Sequence, residues 1–87
     1  MNKFKKNYFV DAAATLDKTP QEYIKDAKYN YVILDEGKEP FCWGDGSPVV
    51  YGSKAEAQEE FISGDLIISE QEFLRRFCKE EYNKYKN

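Results

Sequence analysis

Hydrophobic and polar residues follow two different periods along this chain, and the change of period separates helical from extended segments. Near the amino terminus, Phe9, Ala13 and Leu16 recur at i, i+4 and i+7, which is the spacing of one helix face. This spacing predicts a short helix over residues 8–17. After residue 28 the pattern changes to consecutive β-branched and aromatic residues, which favour strands.

Three capping sequences predict the starts of further helices. In each, a Ser or Thr is followed three residues later by Glu, so that hydroxyl and carboxylate satisfy free backbone N–H groups of the first helical turn. The three are Thr19-Pro20-Gln21-Glu22, Ser53-Lys54-Ala55-Glu56 and Ser69-Glu70-Gln71-Glu72. They predict a helix over residues 20–28, a helix over residues 54–63, and a long C-terminal helix whose apolar stripe runs from residue 73 to residue 85.

The extended segments predict a small antiparallel sheet. Residues 29–34 read Tyr-Asn-Tyr-Val-Ile-Leu and are apolar on both faces apart from the Asn, as expected of a central strand. A turn that contains Asp and Gly then separates it from a short second strand predicted at residues 41–43. After another such turn, residues 49–51 form either a third strand or the continuation of the second, and the whole is a meander. Residues 66–68 are also apolar, but they lie between two predicted helices and are interpreted as a link.

These elements predict an α+β fold in one small domain. With 87 residues the chain has room for a single hydrophobic core, so residues 1–87 are interpreted as one domain. We expect short N-terminal helices, an antiparallel β-meander of two to three strands, and two C-terminal helices packed on the sheet. Residues 1–6 and 86–87 are expected to be flexible.

Aromatic residues make up 16% of the chain, and their positions divide them between core and surface. Ala57 and Ile62 are predicted to face the core from the helix at residues 54–63. Eight aromatic residues on apolar stripes or strands are also assigned to the core: Phe9, Tyr23, Tyr31, Phe41, Phe61, Phe73, Phe77 and Tyr82. Six remain for exposed contacts: Phe4, Tyr8, Tyr29, Trp43, Tyr51 and Tyr85.

The chain contains no histidine, which removes mechanisms that use an imidazole as general base, as partner of a nucleophile or as metal ligand. Its two cysteines, Cys42 and Cys78, are too few for a zinc site within one chain and are interpreted as small core residues. We therefore expect a protein that is not an enzyme and that uses neither a cofactor nor a metal.

Two short motifs have a chemical interpretation as well as a structural one. Glu36-Gly37-Lys38 matches half of a metal-dependent nuclease motif, and Asp45-Gly46-Ser47 offers oxygen ligands for calcium. Both fall in predicted tight turns, and the sequence lacks the regularly spaced acidic loop of a calcium site. Each is interpreted as a solvated turn.

Charge is distributed unevenly along the chain. Residues 1–6 carry a net charge of +3, residues 7–74 carry −9, and residues 75–87 carry +3. Residues 55–74 contain six carboxylates and no basic residue, and an acidic surface of this kind attracts a basic partner. The sequence therefore predicts a protein-interaction module. Its candidate contact residues are Glu56, Glu59, Glu60, Trp43, Tyr51 and Tyr85.

The basic ends of the chain favour an alternative function, which is nucleic-acid binding. If the two ends lie together, their cations form one patch beside tyrosine rings on which bases can stack. The candidate residues are Lys3, Lys5, Lys6, Arg75, Arg76 and Lys79. The net charge of −3 argues against this alternative, because nucleic-acid-binding domains are usually basic throughout.

The remaining predictions concern location and partners. No apolar stretch approaches the roughly 18 residues of a membrane span, and Asp11 interrupts the apolar run that follows the basic amino terminus. We expect a cytoplasmic protein that binds no membrane, and homo-oligomer formation stays open because so small a core gains from added burial. In size and acidity, though in no motif, the chain is similar to accessory proteins encoded by bacterial phages and mobile elements, including anti-CRISPR proteins. We expect its partner to be another protein.

Overall fold

A computed structural model of the protein describes residues 4–86. That part of the chain forms five α-helices, one 3-10 turn and three strands. The helices are α1 (Tyr8–Thr15), α2 (Pro20–Asp26), α3 (Lys54–Glu60), α4 (Glu70–Phe77) and α5 (Lys79–Tyr85), and the 3-10 turn Ala27–Tyr29 extends α2. The strands are β1 (Tyr31–Asp35), β2 (Glu39–Pro40) and β3 (Leu66–Ser69).

The strands form one antiparallel sheet in the order β2-β1-β3. β3 pairs with β1 along its whole length, from Tyr31 opposite Ser69 to Leu34 opposite Leu66. β2 pairs only with the end of β1, where Leu34 lies opposite Pro40. β1 is therefore the central strand, in agreement with its apolar residues on both faces.

The predicted α+β class is confirmed, because a three-stranded antiparallel sheet packs with N-terminal and C-terminal helices in one domain. The strand that completes the sheet is nevertheless different from the one expected. Residues 66–69, interpreted from the sequence as a link, form β3. Their apolar side chains pair with β1 in continuous register, which buries Ile68 against Val32. A partner distant in sequence thus pairs with four consecutive residues of β1, whereas β2, which is near in sequence, pairs with two.

The segments predicted as second and third strands make only isolated contacts with the sheet. Residues 41–43 contribute the Phe41 N–H, which donates to the Ile33 carbonyl at 3.3 Å, and residues 49–51 contribute a bridge between Tyr51 and the first residue of β1. A further bridge, between Cys42 and Pro48, lies within the loop itself. Pro48 has no N–H to donate to a ladder, so this region forms a loop against the sheet edge. Cys42 is half-buried within it.

Two helix ends also differ from the prediction. α3 stops at Glu60 because Phe61 takes an extended conformation, with φ −69° and ψ 135°, and the Asp65 carboxylate accepts the N–H of Ile62 at 3.2 Å. A side chain that captures this N–H competes with the next helical hydrogen bond. The C-terminal helix is divided into α4 and α5 at Cys78, where ψ is 43°.

The main core lies on one face of the sheet. Alternation along β1 directs Val32 and Leu34 to this face, where they join buried residues of α1, α2 and α4 in one cluster. Ile33 points to the other face, which α3 covers, and both Ile33 and Ala57 of α3 are buried. Full burial of an aliphatic side chain of this size stabilises the fold by about 1.5–3 kcal/mol.

Aromatic rings fill the core beneath the amino terminus. The ring centroid of Phe73 lies 5.3 Å from that of Phe4 and 6.2 Å from that of Tyr8. Tyr8 was expected at the surface but is buried. Tyr85, also expected at the surface, is half-buried with its ring edge-to-face against Phe9, at a centroid distance of 6.0 Å. Three of the six aromatic residues expected in exposed contacts, Phe4, Tyr8 and Tyr85, thus contribute to packing.

The aromatic residues assigned to the core divide into three groups. Phe9, Tyr23 and Phe73 are buried, whereas Phe61 is exposed, contrary to the prediction. The half-buried members are Tyr31, Phe41, Phe77 and Tyr82. Cys78 lies among them in the buried cluster, and burial raises the pKa of its thiol to about 12. The thiol therefore stays protonated at neutral pH, as a small core residue should.

Candidate functional site

The segment that leads from α3 into β3 exposes three large apolar side chains. Phe61 is 43% exposed, Ile62 is 67% exposed and Leu66 is 42% exposed. We call these three residues the apolar tip. They account for half of the large hydrophobic residues exposed in the described range, the others being Leu16, Tyr29 and Trp43. A local concentration of exposed apolar surface is characteristic of interaction sites.

Asp65 holds the apolar tip in a defined conformation. One of its carboxylate oxygens accepts the backbone N–H of Ile62 at 3.2 Å, and the other accepts the backbone N–H of Glu36 at 3.2 Å. The Asp65 N–H also donates to the Ile62 carbonyl at 2.9 Å. The loop is thus tied both to itself and to the turn after β1, which reduces the entropy that a partner must remove on binding.

The predicted acidic contact residues lie directly before the apolar tip. Glu56, Glu59 and Glu60 are exposed on α3, and we call them the acidic helix face. Tyr51 lies close to it, because Gly52, the next residue, lies beside the Glu56 carboxylate. Burial raises the pKa of the Tyr51 hydroxyl, and the negative charge of Glu60 adds to that effect. The structure therefore brings Tyr51 and the three glutamates into one region of the molecule.

The acidic band expected over residues 55–74 is not continuous at the surface. Glu72 forms ion pairs with Arg76 at 3.2 Å and with Arg75 at 3.9 Å. The Asp65 carboxylate accepts two backbone N–H groups, and Glu70 is completely buried. The carboxylates that stay available for a partner are consequently those of the acidic helix face.

Glu70 is the least expected feature of the structure. Its carboxylate accepts a hydrogen bond from the Tyr8 hydroxyl, one from the Tyr23 hydroxyl at 2.6 Å, and one from the Asn30 side-chain amide at 3.1 Å. We call these four residues the Glu70 cluster. Every buried side-chain nitrogen and oxygen of the described residues has a partner, so the cluster is fully satisfied, as a buried charge requires.

The backbone also contributes to the Glu70 cluster. Glu70 is the first residue of α4, and its N–H donates to the Asn30 carbonyl at 2.7 Å. The N-terminus of a helix favours a negative charge. Burial nevertheless dominates and raises the pKa of Glu70 above its usual value, while the three hydrogen bonds oppose this shift.

Sequence reasoning missed this cluster because it assigned Glu70 to a capping sequence and to the exposed acidic band. The available signal was the position of Tyr23 on an inward stripe, because a buried tyrosine hydroxyl needs a hydrogen-bond partner.

Trp43 lies apart from the apolar tip, on the loop that follows β2. Its side chain is 62% exposed and lines an open cleft of about 410 Å³ between α1 and this loop. Tyr85, the last predicted contact residue, lies on α5, where its ring packs on Phe9 and the Lys84 ammonium lies 5.3 Å from the ring centroid. The aromatic part of the predicted site is therefore distributed over separate regions.

The basic residues of the alternative site are largely matched with acids. Lys5 pairs with Asp11 at 3.1 Å, and Arg75 and Arg76 pair with Glu72. Lys3 lies outside the described residues, and Lys79 is exposed at the start of α5.

Residues near the two ends of the described range do lie together, as the alternative requires. Lys6 and Lys84 line one hollow, but Glu80 and Glu81 line it with them. The cations consequently alternate with carboxylates and do not form a continuous basic patch.

Comparisons with known proteins add no further constraint. Neither protein-family models nor curated proteins nor solved structures gave a match to the chain. Between residues 4 and 86, no three Cys, Asp or Glu side chains are grouped so that they could hold a metal ion. No helix in that range has the length and apolar character needed to cross a membrane.

Proposed function

We propose that this protein is a small non-enzymatic protein-interaction module that binds a protein partner through the apolar tip and the adjoining acidic helix face. The observation that carries the proposal is the exposure of Phe61 and Ile62 immediately after Glu59 and Glu60. A central apolar patch with a charged rim is the usual anatomy of a protein interface. The complementary partner has an apolar socket bordered by lysine or arginine.

Two further features support this function. The acidic helix face steers a basic partner over distances up to the Debye length and so raises the association rate. The loop around Asp65 is already ordered by its hydrogen bonds, so the tip does not have to be ordered on binding. The small size and the net negative charge support the assignment of this protein as an accessory protein of a bacterial phage or mobile element that acts in the cytoplasm.

The competing function is nucleic-acid binding by the basic ends. The observation in its favour is that Lys6 and Lys84 lie beside one hollow. Its weakness is local neutralisation, since Lys5, Arg75 and Arg76 each have a carboxylate partner within 4 Å. Nucleic-acid affinity rests on cations that are free to displace counterions from phosphates.

A capture experiment from the native host separates the two functions. The double substitution Glu59→Lys, Glu60→Lys reverses two charges beside the apolar tip, and Glu80→Lys, Glu81→Lys makes the same change on α5 as a matched control. We expect wild type and the α5 variant to retain a common protein partner, identified by mass spectrometry, and the α3 variant to lose it.

Retention of the same partner by the α3 variant would overturn the proposal. Recovery of nucleic acid in place of protein, strengthened by the α5 charge reversal and weakened by added salt, would establish the competing function.

A further inference from the structure

The cleft beside Trp43, which we call the Trp43 cleft, is lined by apolar and by charged side chains. Its volume of about 410 Å³ lies within the range of ligand sites. Ala12 and Val50 contribute aliphatic surface to the lining, together with the rings of Tyr8 and Tyr23. The backbone N–H of residue 5 donates to the carbonyl of residue 46 at 2.7 Å and connects the amino-terminal segment to the loop.

The charges around this cleft favour a cation. Asp11, Asp45 and Lys5 line it, and the carboxylate of Glu70 lies behind Tyr8 and Tyr23, which donate their hydroxyls to it. Two carboxylates therefore line the cleft with a single ammonium, which gives its lining a net negative charge. Their field extends into the cleft because part of its wall is buried protein of low dielectric.

Of the two carboxylates that line the cleft, Asp45 is the more available to a ligand. One of its oxygens accepts the Ser47 N–H at 2.9 Å, and that bond keeps the pKa of Asp45 below its usual value, so the carboxylate stays ionised. Asp11 pairs with Lys5 at 3.1 Å, and Lys5 also contributes to the low pKa of Asp45. Lys5 is consequently the competitor that an incoming cation must displace or share.

We propose that the Trp43 cleft binds the side chain of an arginine presented by a protein partner. The exposed indole of Trp43 offers a face on which a planar guanidinium stacks. The aliphatic lining accommodates the methylene stem, and Asp45 receives the charged head. This site is separate from the apolar tip and does not depend on the function proposed for the tip.

The test uses the intrinsic fluorescence of Trp43, the single tryptophan of the chain. The purified protein is titrated with N-acetyl-arginine amide and with N-acetyl-citrulline amide, which has a similar shape and no charge. We expect a saturable change in emission with the arginine compound and a much weaker response to the citrulline compound. Equal responses to the two compounds would overturn the proposal.

Two substitutions give opposite expected effects. Asp45→Asn keeps an oxygen for the Ser47 N–H but removes the charge, and it should raise the Kd about threefold, as for an exposed ion pair. Lys5→Ala removes the competing ammonium and should lower the Kd by a similar factor. A merely structural role for these residues predicts no such opposition, so two shifts in the same direction would contradict the site.

Charge changes elsewhere provide the control. Asp35→Asn removes a carboxylate that does not line the cleft and should leave the Kd within twofold of wild type. The α3 double variant Glu59→Lys, Glu60→Lys should do the same, because those residues belong to the other surface. Loss of arginine binding in either variant would indicate a general charge effect and would refute the specific site.

Discussion

Glu70 and the apolar tip lie within ten residues of each other, and each reverses the usual relation between polarity and burial. The glutamate is completely buried, whereas Phe61 and Ile62 are 43% and 67% exposed. The difference lies in what surrounds each group. Glu70 is surrounded by donors that satisfy its charge, while the side chains of the apolar tip lie outside the buried cluster. The first reversal belongs to the architecture of the fold, and the second leaves surface for a partner.

The two reversals are connected through β3. Because Leu66–Ser69 pairs with β1, the start of α4 lies in the core beside Asn30. The loop before β3 lies at the surface. Asp65 holds the outer end of this segment, and the Glu70 cluster holds the inner end. One strand thus determines both the buried charge and the exposed apolar patch.

The largest expected effect comes from replacing Glu70 alone. Glu70→Leu leaves two buried hydroxyls and the Asn30 amide without their common acceptor, and we expect the free energy of unfolding to fall by about 3–5 kcal/mol. Urea unfolding followed by circular dichroism measures this loss. For a domain of this size the variant is then near the limit of folding.

A triple variant separates polar satisfaction from simple damage to the core. Tyr8→Phe and Tyr23→Phe, combined with Glu70→Leu, remove both hydroxyl donors together with the charge, and this should recover most of the lost stability. If Glu70→Leu is as stable as wild type, or if the triple variant is no more stable than Glu70→Leu, the cluster does not have the structural role assigned to it.

Local sequence patterns predicted the helix starts and the central strand, which depend on contacts between neighbouring residues. The hydroxyls of Thr19, Ser53 and Ser69 each accept the N–H three residues later, as their capping sequences predict. β1 is central because its own residues are apolar on both faces. These features arise from contacts within a few residues, and a single sequence contains that information.

The unpredicted features depend on residues that are far apart in sequence. Glu70 receives hydrogen bonds from residues 62, 47 and 40 positions away, and β3 pairs with a strand more than 30 positions earlier. The helix prediction placed Phe61 and Ile62 inward because it continued the period of α3 beyond Glu60. That period ends where Asp65 takes the Ile62 N–H, a contact that hydrophobic spacing does not reveal.

A smaller effect is expected from the ionisation of Glu70. Burial raises its folded-state pKa above the ordinary value of 4.5, so the folded protein retains this proton to a higher pH than the unfolded chain does. As pH rises above about 4.5, the unfolded state loses the proton first, and the contribution of Glu70 to stability decreases until the folded-state pKa is passed.

Comparison with Glu70→Gln isolates this titration, because the amide carries no ionisable proton and the other carboxylates cancel. We expect the free energy of unfolding of wild type minus that of the variant to be greatest below pH 4.5 and to decrease with rising pH. In each protein taken alone, carboxylates whose pKa is lowered, such as Glu22 and Asp45, make the free energy of unfolding increase as pH rises. Their contributions cancel in the difference. A difference that increases with pH would show that the hydrogen bonds outweigh burial.

The smallest expected effect on stability is at the apolar tip. Phe61→Ser and Ile62→Ser together remove side chains that are largely exposed, so the free energy of unfolding should change by about 0.5 kcal/mol or less for each substitution. Leu16→Ser, at an exposed leucine after α1, provides a matched control for a loss of surface apolarity.

Urea unfolding measures stability, and partner capture measures binding. We expect the tip variant to unfold like wild type and to lose the partner, while the Leu16 variant keeps both. A large loss of stability would place the tip in the core after all, and the contrast with Glu70 would then be lost.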